Sequence, residues 1–203
     1  MAKSSKQWLR RHVTDPYVRK AKEQGYRSRA AFKLLEIDEK EKLLRPGMRV
    51  LDLGAAPGGW SQVAAKRAGP GGAVVAIDLL EVAPIAGVTV LKGDFRTPAL
   101  RSALGEEKVD LVLSDLSPNL SGIPGVDQAR SLELAEAAVE ACRASLKPDG
   151  AFLTKAFQGE AFQTLKKLLE QAFQVVKVVK PAASRGESRE TYFVCRRLRL
   201  SPG

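Results

Sequence analysis

A lysine in the middle of an otherwise apolar stretch is the first residue in this chain that asks for a chemical explanation. Lys155 stands in Phe152-Leu-Thr-Lys-Ala-Phe157, and burying an ammonium in such a run is costly unless its end reaches a cleft. Asp115 follows directly on a second apolar run, Val109–Ser114, the rim position at which α/β folds place ligands and reactive groups. A third feature is Val50-Leu-Asp-Leu-Gly-Ala-Ala-Pro-Gly-Gly-Trp60, whose small residues let the backbone turn tightly and approach a ligand. Two carboxylates close further runs: Asp78 ends AVVAID, and Asp94 lies in Lys92-Gly-Asp-Phe95. In nucleotide-binding folds a carboxylate in the first position accepts hydrogen bonds from ribose hydroxyls, and one in the second is placed to meet an adenine amino group. The chain has one histidine, His12, and two cysteines, Cys142 and Cys195, which lie 53 residues apart. Those counts set aside Ser/His/Asp chemistry, a zinc cluster and a disulfide framework.

The elements that must position these groups are legible from periodicity. Asp15-Pro16 reads as an N-cap with proline at the first helical position, opening a helix through about Gln24 before Gly25. Ser28 reads as the next N-cap, leading a helix over 29–42 whose apolar face is Ala31, Phe32, Leu34 and Leu35. Strands at Arg49–Leu53, Ala73–Ile77, Val88–Leu91, Val109–Ser114 and Gly150–Lys155 then alternate with helices at about 60–67, 128–146 and 159–172. Residues 173–179 and 191–197 close the chain as strands. The pattern predicts a Rossmann-like α/β fold, a mostly parallel seven-stranded sheet with helices on both faces and an N-terminal helical extension. One domain is expected over 1–203, with 1–45 as a basic helical extension and 46–203 as the core.

The chain has 203 residues and a net charge of +10, and the charge is unevenly spread. Residues 1–33 carry ten basic and two acidic side chains and 177–203 carry seven and two, whereas 34–176 carry sixteen and nineteen. A basic collar on a slightly acidic body predicts a polyanionic partner, a nucleic acid. Arg10, Arg11, Arg19, Lys20, Lys22 and Arg29 are the expected backbone-gripping residues, with Tyr17, Tyr26 and Trp8 as candidates for stacking on a base. No apolar run approaches the roughly 18 residues of a membrane span, and the N-terminus lacks the apolar core of a secretory signal. A soluble, cytoplasmic, monomeric protein is expected.

The turn DLGAAPGGW, with Asp78 and Asp94 behind it, resembles the S-adenosyl-L-methionine site of class I methyltransferases. SDLSPNLSG at 114–122 and the spaced set Lys33, Asp115, Lys155 and Glu190 narrow this to the FtsJ/RrmJ family of RNA 2′-O-methyltransferases. The similarity runs nearly end to end, from Trp8-Leu-Arg-Arg-His12 and Ser28-Arg-Ala-Ala-Phe-Lys33 to Ser188-Arg-Glu190. The resemblance implies S-adenosyl-L-methionine as methyl donor, no metal, and Gly58, Trp60, Asp78, Asp94 and Asp115 as cofactor contacts. It further implies Lys155 as general base, with Lys33, Asp115 and Glu190 completing a tetrad. The implied substrate is a uridine ribose in large-subunit ribosomal RNA on the assembled subunit. A lysine base fits the chemistry, because a ribose hydroxyl is a weak nucleophile. An ordinary lysine is only about 0.04% neutral at pH 7, so burial or a neighbouring cation is expected, a role for Lys33. Rivals are a methyltransferase of the same family acting on transfer RNA or capped messenger RNA, a nicotinamide-dependent oxidoreductase, and a non-catalytic ribosome-assembly protein. Ala56 in place of a glycine disfavours the dinucleotide reading, and Asp115-Leu-Ser-Pro118 departs from the tetrad of base N-methyltransferases.

Overall fold

The computed structural model describes residues 15–98, 105, 107–118, 121–184 and 188–199. Seven strands, β1 (Arg49–Leu53), β2 (Ala73–Asp78), β3 (Val88–Lys92), β4 (Val109–Ser114), β5 (Leu146–Phe157), β6 (Phe173–Val179) and β7 (Glu190–Leu198), form one sheet in the order β3-β2-β1-β4-β5-β7-β6. Strands β1 to β5 are joined in parallel, while β7 slots between β5 and β6 and runs antiparallel to both.

Period-two alternation decides which side chains each face of the sheet receives. Leu51, Leu53, Val112, Phe152 and Phe193 pack against helices α4 (Pro124–Ser145) and α5 (Glu160–Ala172). Their neighbours Val50, Leu111, Leu113, Leu153, Tyr192 and Val194 turn to the other face and pack against α2 (Ala30–Glu41) and α3 (Gly59–Ala68). Each strand thus supplies both cores, which is why the central strands are apolar almost throughout. At roughly 1.5–3 kcal/mol per buried large aliphatic or aromatic side chain, these two layers dominate the stability.

The extension is built as expected at its start. In α1 (Pro16–Glu23) the Asp15 carboxylate accepts the Tyr17 N–H at 3.0 Å and proline occupies the first turn. The next helix departs from expectation. Helix α2 begins at Ala30 after Arg29, and the Ser28 hydroxyl makes no capping bond; it is buried without a partner against Gly59. Packing of α2 onto the glycine turn overrides the local capping preference there. Helix α4 starts earlier than its apolar periodicity suggests, at Pro124, a proline in the first turn. Strand β5 is longer than expected because Leu146 pairs with Val109 before a register shift brings Ala151 opposite Leu111.

Candidate active site

The turn from β1 into α3 owes its shape to glycines. Gly54 and Gly58 have φ of 75° and 107°, in the left-handed region. A Cβ at Gly54 would lie 2.7 Å from the Leu116 side chain and one at Gly58 2.6 Å from the Ile85 side chain, so a substitution at either would displace a neighbour besides straining the backbone. Asp78 holds the turn from the end of β2. One carboxylate oxygen accepts the Ala56 N–H at 2.8 Å and the other accepts the Leu80 N–H at 2.8 Å. Each oxygen keeps a further lone pair for a ligand hydroxyl. Arg27, which sequence reasoning counted only as charge, buttresses the turn by donating to the carbonyls of Ala83 at 2.6 Å and Pro84 at 2.7 Å.

Beside this turn lies a cavity of about 630 Å³ at the carboxyl ends of β1, β2 and β4, walled by Gly54, Ala56, Asp78, Asp94, Asp115 and Leu116 among others. Its position and mixed lining suit a nucleoside-sized ligand. Asp94 is engaged by Arg96, which donates to both carboxylate oxygens at 2.7–3.0 Å; that hydrogen bonding holds the Asp94 carboxyl below its ordinary range. Trp60 and Gly58 do not line the cavity. The Trp60 indole is a core strut, 3% exposed, donating to the Ala30 carbonyl at 2.8 Å and packed on Tyr192.

The lysine and carboxylate cluster adjoins the cavity at Asp115. Alternation along β5 and β7 puts Lys155, Tyr192 and Glu190 on the face covered by α2, where Leu153 and Val194 are also found. Lys155 Nζ is surrounded by the Asp115 carbonyl at 2.9 Å, the Ser117 hydroxyl at 2.5 Å and the Asp115 carboxylate at 3.2 Å. Lys33, from α2, is ion-paired with Glu190 at 2.6 Å, both side chains being 13% exposed. The fold gives the charge of Lys33 a partner in Glu190, on which Lys155 also acts electrostatically. What joins the two pairs is Tyr192, whose hydroxyl lies 2.8 Å from Glu190 and 3.5 Å from the Asp115 carboxylate. Burial raises the Glu190 carboxyl, but Lys33 and the Tyr192 hydroxyl overcome this and hold it below the ordinary value. Burial between two carboxylates drives the Tyr192 phenol far upward, so it remains a proton donor.

The four residues named from sequence are therefore members of one chain, Lys33–Glu190–Tyr192–Asp115–Lys155. Tyr192 and Ser117 were missed, although the alternation in ETYF was a usable signal for the first.

The polyanion-contact residues divide differently. Arg19 is exposed and pairs with Glu23, and Lys22 is exposed. The ammonium of Lys20 rests 4.9 Å over the Phe32 ring. Arg29 is largely buried: its side chain is 15% exposed, and its guanidinium is bonded to the Asp15 carboxylate and to the Ala183 carbonyl. Tyr17 and Tyr26 pack around Phe32, with ring centroids at 5.6 and 5.7 Å, and do not present open faces together. Arg10, Arg11 and Trp8 lie outside the described residues.

Comparison with known proteins agrees with this architecture. The model of the FtsJ-like methyltransferase family matches residues 26–198. The Ribosomal RNA large subunit methyltransferase E of Dechloromonas aromatica is 54% identical over 201 residues, 97% of this chain and 98% of that one. The protein of the same name from Alcanivorax borkumensis is 53% identical over 195 residues, 94% of each. A Plasmodium falciparum structure described as that of a ribosomal RNA methyltransferase is 30% identical, with a TM-score of 0.76 over 85% of this chain and 98% of that one. Fibrillarin from Aeropyrum pernix shares the fold at 20% identity and a TM-score of 0.61, over 84% of this chain and 75% of that one. With a family match across most of its length and relatives more than half identical, this chain belongs to the FtsJ-like methyltransferase family.

Proposed function

We propose that the protein transfers a methyl group from S-adenosyl-L-methionine to a ribose 2′-hydroxyl of large-subunit ribosomal RNA, a uridine on the assembled subunit, without a metal. The observation that carries this is the junction at Asp115, which belongs both to the cavity wall and to the lysine and carboxylate chain. A group held in the cavity and a hydroxyl held at Lys155 would meet there.

The cavity fits the cofactor through its donor set. Asp78 would take the ribose hydroxyls on its remaining lone pairs, and the backbone at Gly54 and Ala56 would lie against the rest of the nucleoside. Asp94 is the proposed partner of the adenine amino group. Bound S-adenosyl-L-methionine supplies a sulfonium methyl that is already a strong electrophile. The chain's own task is to align an acceptor and remove its proton. In that task Lys155, acting in its neutral form, would accept the proton of the 2′-hydroxyl as the O–CH₃ bond forms and the sulfur–methyl bond breaks, the sulfur leaving as a neutral thioether. The two Asp115 oxygens and the Ser117 hydroxyl around Nζ then hold the resulting ammonium. Glu190 and Lys33 lock Tyr192, and Tyr192 in turn orients the Asp115 carboxylate.

The deciding experiment is transfer of labelled methyl from S-adenosyl-L-methionine to purified large subunits, with protein-free ribosomal RNA, transfer RNA and capped messenger RNA in parallel. Label at a ribose of the subunit, marked by an alkali-resistant linkage, is expected. In Lys155→Ala the cofactor should still bind while transfer is lost; persistent turnover would remove this lysine as the base.

A further inference from the structure

We infer that Phe157 is the platform on which the base of the target nucleotide stacks while its ribose is methylated. The inference rests on the reading of Lys155 as the base of a 2′-O-methyl transfer.

Of the seven phenylalanines in the chain, Phe32, Phe95, Phe152, Phe162, Phe173 and Phe193 are all 9% exposed or less. Phe157 is 37% exposed. A single exposed apolar residue is ordinary; its placement is not. Phe157 is the last residue of β5, two positions beyond Lys155, so the pleat sends both side chains to one face. The Lys155 ammonium lies 5.7 Å from the Phe157 ring centroid. Across the antiparallel pair the ring stands in register with Glu190, as Lys155 stands with Tyr192. Phe157 does not line the cavity.

These contacts order the site in space. Asp115 and Ser117 separate Lys155 from the cavity on one side, and Phe157 flanks the lysine on another. A methyl donor in the cavity and an acceptor hydroxyl must approach Lys155 from different directions, so the acceptor arrives along the ring. The carbon that bears a 2′-hydroxyl is bonded to the carbon that bears the base. Once that hydroxyl reaches Nζ, the base must lie within about one ring's breadth of it. A uridine inside folded RNA has to leave its stack for its ribose to enter such a site, which costs a few kcal/mol. An aromatic face replaces the lost stacking and is tolerant of base identity. The chemistry recognised is therefore an unstacked nucleobase attached to the reacting ribose.

The test uses the full chain, purified large subunits and S-adenosyl-L-methionine, with Phe157→Ala, Phe157→Leu and Phe157→Tyr compared. Removing one stacked base costs roughly tenfold in affinity. Phe157→Ala and Phe157→Leu should therefore raise KM for subunits about tenfold. Their kcat, cofactor affinity and thermal midpoint should stay near those of the wild type, and Phe157→Tyr should restore KM. If Phe157→Leu keeps the wild-type KM, the ring is only apolar cover and the inference fails. It fails equally if the variants shift the pH–rate profile with KM unchanged, because the ring would then act on Lys155 alone. Wild-type protein that methylates no ribose, or Lys155→Ala that does, overturns the proposed function itself and is visible before any Phe157 variant is made.

Discussion

Removing one hydroxyl, that of Tyr192, separates the Lys33–Glu190 pair from Asp115 and Lys155. The loss of a buried hydrogen bond to a charged group is worth about 1.5–3 kcal/mol. Tyr192→Phe should therefore lower kcat about 10- to 100-fold with cofactor affinity unchanged, as single-turnover kinetics and calorimetry would report. Equal losses in both would mean that the ring, through its packing on Trp60, matters more than its hydroxyl. A second residue-scale expectation concerns Asp52, fully buried under the glycine turn. Ser61 donates to one of its oxygens at 2.6 Å, the other has no partner, and burial pushes its carboxyl up to about 7. Because its native value lies above the unfolded one, the folded state holds the extra proton between the ordinary carboxylate range and about 7. Stability should fall as pH rises through that window and stay level above it. Asp52→Asn should lose this dependence, so the difference between the denaturation midpoints of the two proteins should change between pH 5 and pH 8. A constant difference would refute the assignment. Lys155 was legible in the sequence because an ammonium in an apolar strand is locally anomalous. Lys33 and Glu190 were reached only through the family resemblance, because what makes them special is register between β5 and β7 and the placement of α2, neither of which is local.

Helix α2 and its N-cap residue carry three anchors at about one-turn intervals. Arg29 ties Asp15 at the start of α1 to the Ala183 carbonyl, and Lys33 ties into Glu190. Glu36, one turn further on, accepts the Tyr17 hydroxyl and the Ala183 N–H. The extension therefore grips the segment that leads into β7, and both side chains of the Asp15–Arg29 pair are largely buried. Breaking such a pair on one side costs about 3–5 kcal/mol. Arg29→Ala should lower the denaturant midpoint accordingly, while the salt dependence of subunit binding stays as in the wild type. A reduced salt slope with unchanged stability would restore Arg29 to the RNA surface. The strands and α3 lay within a few residues of their sequence-based bounds because their apolar runs are long and punctuated by glycine. Ser28 misled because its capping chemistry is local, whereas its burial against Gly59 is a tertiary effect. Pro124 at the start of α4 was a local signal that periodicity alone passed over.

For the molecule as a whole, the described part of the basic collar faces solvent on α1 at Arg19, Lys20 and Lys22 and, towards the other end of the chain, at Lys177, Lys180, Arg189, Arg197 and Arg199. If Arg19 and Lys22 meet phosphates, charge reversal at each should weaken subunit binding and reduce the slope of log K against log salt by about one. Cofactor affinity should not move; a joint loss would indicate a folding defect. The last of the seven strands has a consequence in time. Strand β7 is later in the chain than both of its neighbours, yet it lies between them and carries Glu190 and Tyr192. During synthesis β5 and β6 emerge first and wait with unpaired edges. No nascent chain that stops short of residue 190 can close the proton-transfer network, however complete its cofactor cavity. Fragments ending before β7 should therefore bind the methyl donor's nucleoside, transfer nothing, and aggregate through the open edge of β5.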